Sequence, residues 1–242
     1  MIKTIFFILQ RIYHWFRFAR VGIFVIPTSL PKMTLGSSYG GYNIPALLVT
    51  ENWNCFCLGA GEDITFELEL AEQFDASVFI FDPTPRAIQH FDLMQAKNDT
   101  FEKSKIYFFP YGAWSSNETL KFYAPQNPEH VSHSILNMQA TEEYFMAECL
   151  TPTSLMEKSR CKSMDLLKLN IEGAEYEVMQ ALFLEGIYPT VICITFDELH
   201  TQIDGGAAQR LKDLVTSFKL NGYIPIDASG AKVTYLLKDK LP

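Results

Sequence analysis

Short apolar runs alternate with more polar stretches along most of the chain, and that alternation predicts strands followed by helices. NCFCL (54–58), SVFIF (77–81), KIYFF (105–109), LLKL (166–169) and VICITF (191–196) have the length and composition of buried strands. Between and after them, 62–74, 85–96, 174–184 and 207–220 read as helices, and two closing strands are expected near 223–226 and 232–237. Apolar strands separated by helices belong to a doubly wound, mostly parallel sheet, an α/β fold.

Two segments depart from the alternation. A Pro/Gly/Ser-rich connector occupies 27–42, and 111–160 opens with turn-rich YGAWSSNETLKFYAPQNPEHVSHSILN before a less periodic part. That is more chain than a simple connection needs, so a hairpin or a cover over the site is expected. The expected division is therefore 1–42, an N-terminal helix and connector, and 43–242, one α/β domain with its insertion at 111–160.

Charge sharpens this division. The chain of 242 residues carries −8, yet the first 50 contain Lys3, Arg11, Arg17, Arg20 and Lys32 and no acid. They stand at +5 and leave −13 on the remainder. An acidic body repels phosphate backbones, which argues against nucleic acid as a principal partner. Residues 1–26 contain no apolar run near the roughly 20 residues that span a bilayer and lack a signal-peptide cleavage pattern. On a helix, Lys3, Gln10, His14 and Arg17 share a face opposite Ile5, Phe6, Ile8, Leu9, Ile12, Phe16 and Ala19. Such a helix can lie on an anionic membrane, or it can pack on the protein's own body or in a dimer interface. The oligomeric state is left open. Cys55, Cys57, Cys149, Cys161 and Cys193 are odd in number and lack CxxC spacing, which fits free thiols in a reducing, cytoplasmic setting.

The candidate chemistry lies at the carboxyl ends of the strands, where open α/β sheets place ligands. The first strand ends in Gly59-Ala60-Gly61, whose glycines allow a sharp turn and close approach of backbone to a ligand. Asp82 ends the second strand, 21 residues after Gly61, where a carboxylate can accept both hydroxyls of a ribose. Together they indicate a ribose-bearing cofactor. A dinucleotide fingerprint would want a small residue where Ile64 stands. Glu62 and Asp63 at the helix entrance disfavour a pyrophosphate and suit a cationic ligand such as S-adenosylmethionine. An NAD-dependent oxidoreductase is thus the weaker alternative, and a catalytically silent or membrane-docked scaffold is another.

Three stretches carry a resemblance. LGAGEDITFELELAEQFDASVFIFDPTP, FYAPQNPEHVSHSILN and LLKLNIEGAEYEVMQAL, in that order, resemble the FkbM family of S-adenosylmethionine-dependent methyltransferases over roughly 50–240. The resemblance implies a class I methyltransferase (Rossmann-like) three-layer sandwich, with a seven-stranded, mostly parallel sheet ending in an antiparallel hairpin. It also implies O-methyl transfer to hydroxyls of sugars, glycolipids or related metabolites. Gly59, Ala60 and Gly61 would line the methionine end of the cofactor, with Asp63 near its amino group. Asp82 would hold the ribose, and the Gly112-Ala113-Trp114 turn would lie near the adenine. Asn170-Ile171-Glu172-Gly173 would close the site beneath the methyl. The family motif has Asp where this chain has Asn170, and an amide orients an acceptor but cannot act as a base and is a weak metal ligand.

The candidate bases are His133, His130, Glu172, Glu175, Asp197, Glu198 and His200, with His133 first and Glu172 second. Asp197, Glu198 and His200 could together hold Mg²⁺, but capping and solvated-surface roles suit them better, so no metal site is assigned.

Overall fold

The computed structural model describes residues 17–97, 101, 104–126, 133–137, 140–199 and 204–241. His130, His200 and most of the amphipathic N-terminal stretch lie outside the described residues.

The expected strands form as β3 (Asn54–Leu58), β4 (Ser77–Phe81), β5 (Ile106–Phe109), β9 (Leu166–Leu169) and β10 (Val191–Thr195), followed by β11 (Tyr223–Ser229) and β12 (Lys232–Leu237). They join in one seven-stranded sheet ordered β11-β12-β10-β9-β3-β4-β5. Only β12 runs against its neighbours. The chain starts at β3, moves through β4 to the β5 edge, then returns to β9 on the other side of β3. The loops leaving β3 and β9 therefore diverge at a switch point, and a crevice opens between them.

Helices cover both faces. Thr65–Phe74 (α1) and Pro85–Lys97 (α2) lie on one side, where Phe66, Leu70 and Phe91 pack with Cys55, Cys57, Leu166 and Cys193. Glu175–Leu184 (α4) and Ala207–Leu220 (α5) lie on the other, where Val178, Leu182, Leu214 and Phe218 pack on Phe56, Leu167 and Ile192. Pro152–Lys158 (α3) adds Leu155 to this second core. Thr151 caps α3 by accepting from the Ser154 N–H, with Pro152 at its first turn. Phe18, Val21 and Ile23 are buried in the same core, so the end of the N-terminal segment packs on the body.

Lys168 breaks the apolar run of β9 for a reason its strand alone does not show. It stands in register between Cys57 and Cys193 and its Nζ lies 2.6 Å from Glu67 Oε1 of α1, both side chains being buried.

Two expectations need correction. The connector at 27–42 is no mere linker: Met33–Leu35 (β1) and Tyr42–Ile44 (β2) pair antiparallel, and Leu35, Tyr42 and Ile44 are buried against the α1 side of the sheet. The 42/43 boundary therefore cuts through a hairpin that belongs to the domain. The insertion does supply a hairpin, from Glu118–Tyr123 (β7) and Tyr144–Leu150 (β8). Gly112–Ala113 (β6), however, is a short strand parallel to β8 rather than a turn, and β8 and α3 occupy the part read as less periodic.

Candidate active site

The crevice is built from backbone. Gly59 leaves β3 with φ +83°, and its N–H donates to Phe81 O on β4 at 3.0 Å. The Asn170 N–H donates to Leu58 O at 3.0 Å, so the β3, β4 and β9 loops are knitted together. Asp82 ties the knot. Its Oδ2 accepts from the Ala60 and Gly61 N–H groups at 2.9 Å each, and its Oδ1 accepts from Thr84 N at 2.8 Å and Thr84 Oγ1 at 2.6 Å. A carboxylate has about four acceptor positions, so a ribose hydroxyl reaching Asp82 must share or displace the Thr84 hydroxyl.

Gly59, Ala60, Gly61, Asp82, Gly112 and Ala113 all line this slot, with Phe122, His133 and Ile135 along its wall. The slot is narrow, about 70 Å³, against the ~300–1,000 Å³ usual for small-molecule sites. Its small-residue floor and its carboxylate suit a nucleoside, and Tyr39, His133 and Ile135 are among the larger side chains on its wall.

The acids at the entrance behave otherwise than the sequence implies. Arg86 pairs with Glu62 through both oxygens, Nε–Oε1 at 3.0 Å and Nη2–Oε2 at 2.8 Å, which neutralises that carboxylate. Asp63 does not line the slot. It accepts from Ser37 Oγ at 2.5 Å and from Thr65 N and Oγ1 at 3.1 and 2.6 Å. Burial opposes its ionisation, yet these hydrogen bonds prevail and hold its carboxyl below the ordinary value. The entrance therefore presents no open pair of carboxylates to a cationic ligand.

The turn after β9 is tightly made. Glu172 adopts φ +52°, uncommon for a residue with a side chain. Glu175 braces the turn, accepting from Ile171 N at 3.1 Å and Gly173 N at 2.8 Å. Ser134 Oγ donates to Glu172 O at 2.6 Å and staples the 133–137 segment onto it. His133 packs its ring edge-on to Phe145, 5.3 Å between centroids.

A second, wider cleft of about 450 Å³ lies over the ends of β10 and β12 beneath the β1–β2 hairpin, and its lining includes Ser37, Asn43, Thr195, Asp197, Ser229 and Lys232. Tyr39, Asn170 and Glu172 line both cavities, so the two meet at the polar turn. Lys232 Nζ donates to the carbonyls of Ser38, Tyr39 and Gly41 and clamps the hairpin turn over the cleft. The sequence reading passes over Tyr39 because the hairpin looks like a linker.

Burial pushes the Glu175 carboxyl up to about 7. Asp197 is raised well above the ordinary value by burial and by the charges of Glu175 and Glu172. Glu198 looks the other way, accepting from Tyr176 Oη at 2.6 Å and Arg210 Nε at 3.1 Å. Among the described residues, no group of three His, Cys, Asp or Glu is placed to hold a metal ion.

The model of the methyltransferase FkbM domain matches residues 51–225. The chain belongs to the FkbM methyltransferase family. This protein is accordingly an S-adenosylmethionine-dependent methyltransferase, and the switch-point crevice between β3 and β9 is the class I, Rossmann-like arrangement. The NAD alternative falls with that assignment. A search of curated proteins finds no match. Similar solved structures include a putative caffeoyl-CoA O-methyltransferase from Staphylococcus aureus, 11% identical, TM-score 0.46, covering 76% of this chain and 74% of that one. TYW2 from P. horikoshii in complex with MeSAdo is 10% identical, TM-score 0.37, over 86% of this chain and 70% of that one. A fibrillarin/Nop5p complex is 9% identical, TM-score 0.45, over 77% and 72%.

Proposed function

We propose that this FkbM methyltransferase methylates a hydroxyl of a sugar, a glycolipid or a related polyhydroxylated metabolite. The observation that carries the reading is the junction of two unlike cavities: a small-residue slot with a carboxylate, and a wide cleft walled by hydroxyls and amides. The slot would take the cofactor, which supplies an electrophilic methyl on sulfur. Gly59, Ala60, Gly61, Gly112 and Ala113 would give it a floor without side-chain bulk, and Asp82 would meet its ribose. Asp63 would act from behind, fixing the start of α1 and the Ser37 turn. The cleft would bind the acceptor through groups such as Ser37, Asn43 and Ser229, which match sugar hydroxyls.

At the junction, Asn170 and Glu172 would orient the attacking hydroxyl. Among the described residues the Asn170 side chain has no hydrogen-bond partner, which leaves its amide for a ligand. Holding the acceptor in line with the methyl can supply much of the rate. His133, on the slot wall, would cover the cofactor side.

Peripheral contact with an anionic membrane through 1–26 is part of the proposal. Phe24, Val25 and Ile26 are exposed, 57%, 42% and 42%, and follow Arg17 and Arg20 in the sequence. Among the described residues no helix is long and apolar enough to cross a membrane.

Calorimetry with S-adenosylmethionine, S-adenosylhomocysteine and NAD, followed by methyl-label transfer to a panel of methyl glycosides, tests the reading. Micromolar binding of the two sulfur ligands and label on a glycoside oxygen are expected. Label transferred only to amines or RNA would overturn the acceptor class.

A further inference from the structure

We propose that Asp197, partnered by Glu175, is the group that takes the proton from the acceptor hydroxyl. The inference rests on the hydroxyl-transfer reading above and replaces His133 and Glu172 in the role of base. Asp197 follows β10 at the start of a short 3-10 turn, Asp197–Leu199, and lines the wide cleft beside the Asn170–Glu172 junction. Its Oδ2 is buried and, among the described residues, has no hydrogen-bond partner. A buried carboxylate oxygen is normally satisfied, and a proton held between Asp197 and its neighbouring acid supplies the donor this one lacks. An acceptor hydroxyl meets Asp197 on the side that lines the cleft.

The second carboxyl is held in place by the polar turn. Glu175, at the start of α4, lies close enough to Asp197 for the two acids to raise one another and is anchored through the Ile171 and Gly173 N–H groups. Two carboxyls in contact cannot both ionise cheaply, so one proton is kept between them at neutral pH. The surroundings reinforce this. Glu172 faces the pair from the turn and adds negative charge. Tyr42, from β2, stays a neutral phenol, pushed up first by burial, with its oxygen 2.6 Å from Thr195 Oγ1. Lys232, from β12, is committed to hairpin carbonyls, and Asp227, from β11, to Lys32 and Asn43. Among the described residues no lysine or arginine pairs with Asp197 or Glu175. His133 lines the slot but not the cleft.

In the step itself the acceptor oxygen forms a bond to the methyl carbon as the carbon–sulfur bond breaks, and the electron pair of that bond stays on sulfur. The hydroxyl proton passes to the Asp197 carboxylate. The pair, now carrying two protons and no charge, returns one to solvent when the cleft empties.

The test measures S-adenosylhomocysteine formation with methyl glucoside, galactoside, mannoside and rhamnoside as probes, from pH 5.5 to 8.5, alongside calorimetric S-adenosylhomocysteine binding. For the wild type, kcat should rise with pH through about 7, because the singly ionised pair is the active form. Asp197→Asn should lower kcat roughly 10²-fold or more with KM and S-adenosylhomocysteine affinity kept. Glu175→Gln, checked for folding by its melting curve, should keep an acid limb, since Glu175 is already neutral in the active form and the amide stands in for its protonated carboxyl. His133→Ala should retain the wild-type acid limb. A wild-type kcat and pH profile in Asp197→Asn, or loss of the acid limb in His133→Ala, overturns the assignment. Binding of S-adenosylhomocysteine with no glycoside methylated removes the hydroxyl-acceptor reading and this assignment with it, leaving the cofactor intact. Failure to bind S-adenosylhomocysteine instead sinks the cofactor slot.

Discussion

A β-carbon on Gly59 would stand 2.0 Å from the carbonyl oxygen of Asn170. The β3 and β9 loops therefore meet backbone to backbone, and the slot exists because nothing larger than a hydrogen separates them. Gly59→Ala must part the loops and force a residue with a side chain into φ +83°. The backbone strain alone costs about 1–3 kcal/mol. Chemical denaturation should show a loss of at least that size, and calorimetry should show S-adenosylhomocysteine binding abolished. An alanine variant that binds normally would refute the slot geometry.

Lys168 and Glu67 make a second test, of the core rather than the site. Removing one partner leaves an uncompensated buried charge, a loss of about 3–5 kcal/mol, whereas replacing both with apolar groups of similar size is often neutral or better. Lys168→Met alone should therefore lower the urea midpoint strongly. Adding Glu67→Leu should restore most of it, helped by the absence of any partner for Glu67 Oε2 among the described residues.

The Glu175–Asp197 pair should also leave a mark on stability. Both folded-state values are raised, Glu175 to about 7 and Asp197 well above its ordinary value, so the native state holds more protons than the unfolded one above the ordinary carboxylate range. By linkage, this contribution makes stability fall as pH rises from about 4.5 through 7 and beyond. Asp197→Asn removes one charge and gives Glu175 an amide donor. Its melting temperature relative to wild type should rise between pH 5 and pH 8, by about 2–4 °C per kcal/mol relieved.

Two backbone hydrogen bonds tie Ser134 to Tyr123 of β7, and its hydroxyl fastens the cover to the polar turn through a 2.6 Å hydrogen bond to Glu172 O. Ser134→Ala removes roughly 0.5–1.5 kcal/mol, enough to loosen the 133–137 segment. Faster proteolysis within the insertion and up to about tenfold weaker S-adenosylhomocysteine binding are the expected readings. An unchanged cleavage rate would show that other contacts hold the cover.

Exposed Phe24, Val25 and Ile26, which follow Arg17 and Arg20 in the sequence, lead to a vesicle experiment. The full chain should sediment with vesicles containing anionic lipid and much less with neutral ones, and the binding should weaken with salt. Phe24→Glu with Ile26→Glu should reduce it several-fold without altering S-adenosylhomocysteine affinity. Equal sedimentation with neutral vesicles would count against the electrostatic part.

The sequence alone determines the sheet and the positions of its ligand-bearing ends. NCFCL, SVFIF, LLKL and VICIT are short, apolar and bounded by turn residues, and a buried strand needs only those local properties to be recognised. Gly59, Asp82 and Asn170 are legible for the same reason: each is the first break after a strand. The β1–β2 hairpin is not legible, because strands of three residues carry too little periodicity and Leu35 and Ile44 gain burial only from distant elements of the sheet and its helix. Whether an acid is free is likewise a tertiary matter. Glu62 and Asp63 read as an open acidic entrance until Arg86 and Ser37 fold back upon them, while Glu175 reads as helix-start charge until β10 brings Asp197 against it. Pairing, shielding and burial are properties of neighbours distant in the chain, and only the tertiary structure chooses those neighbours.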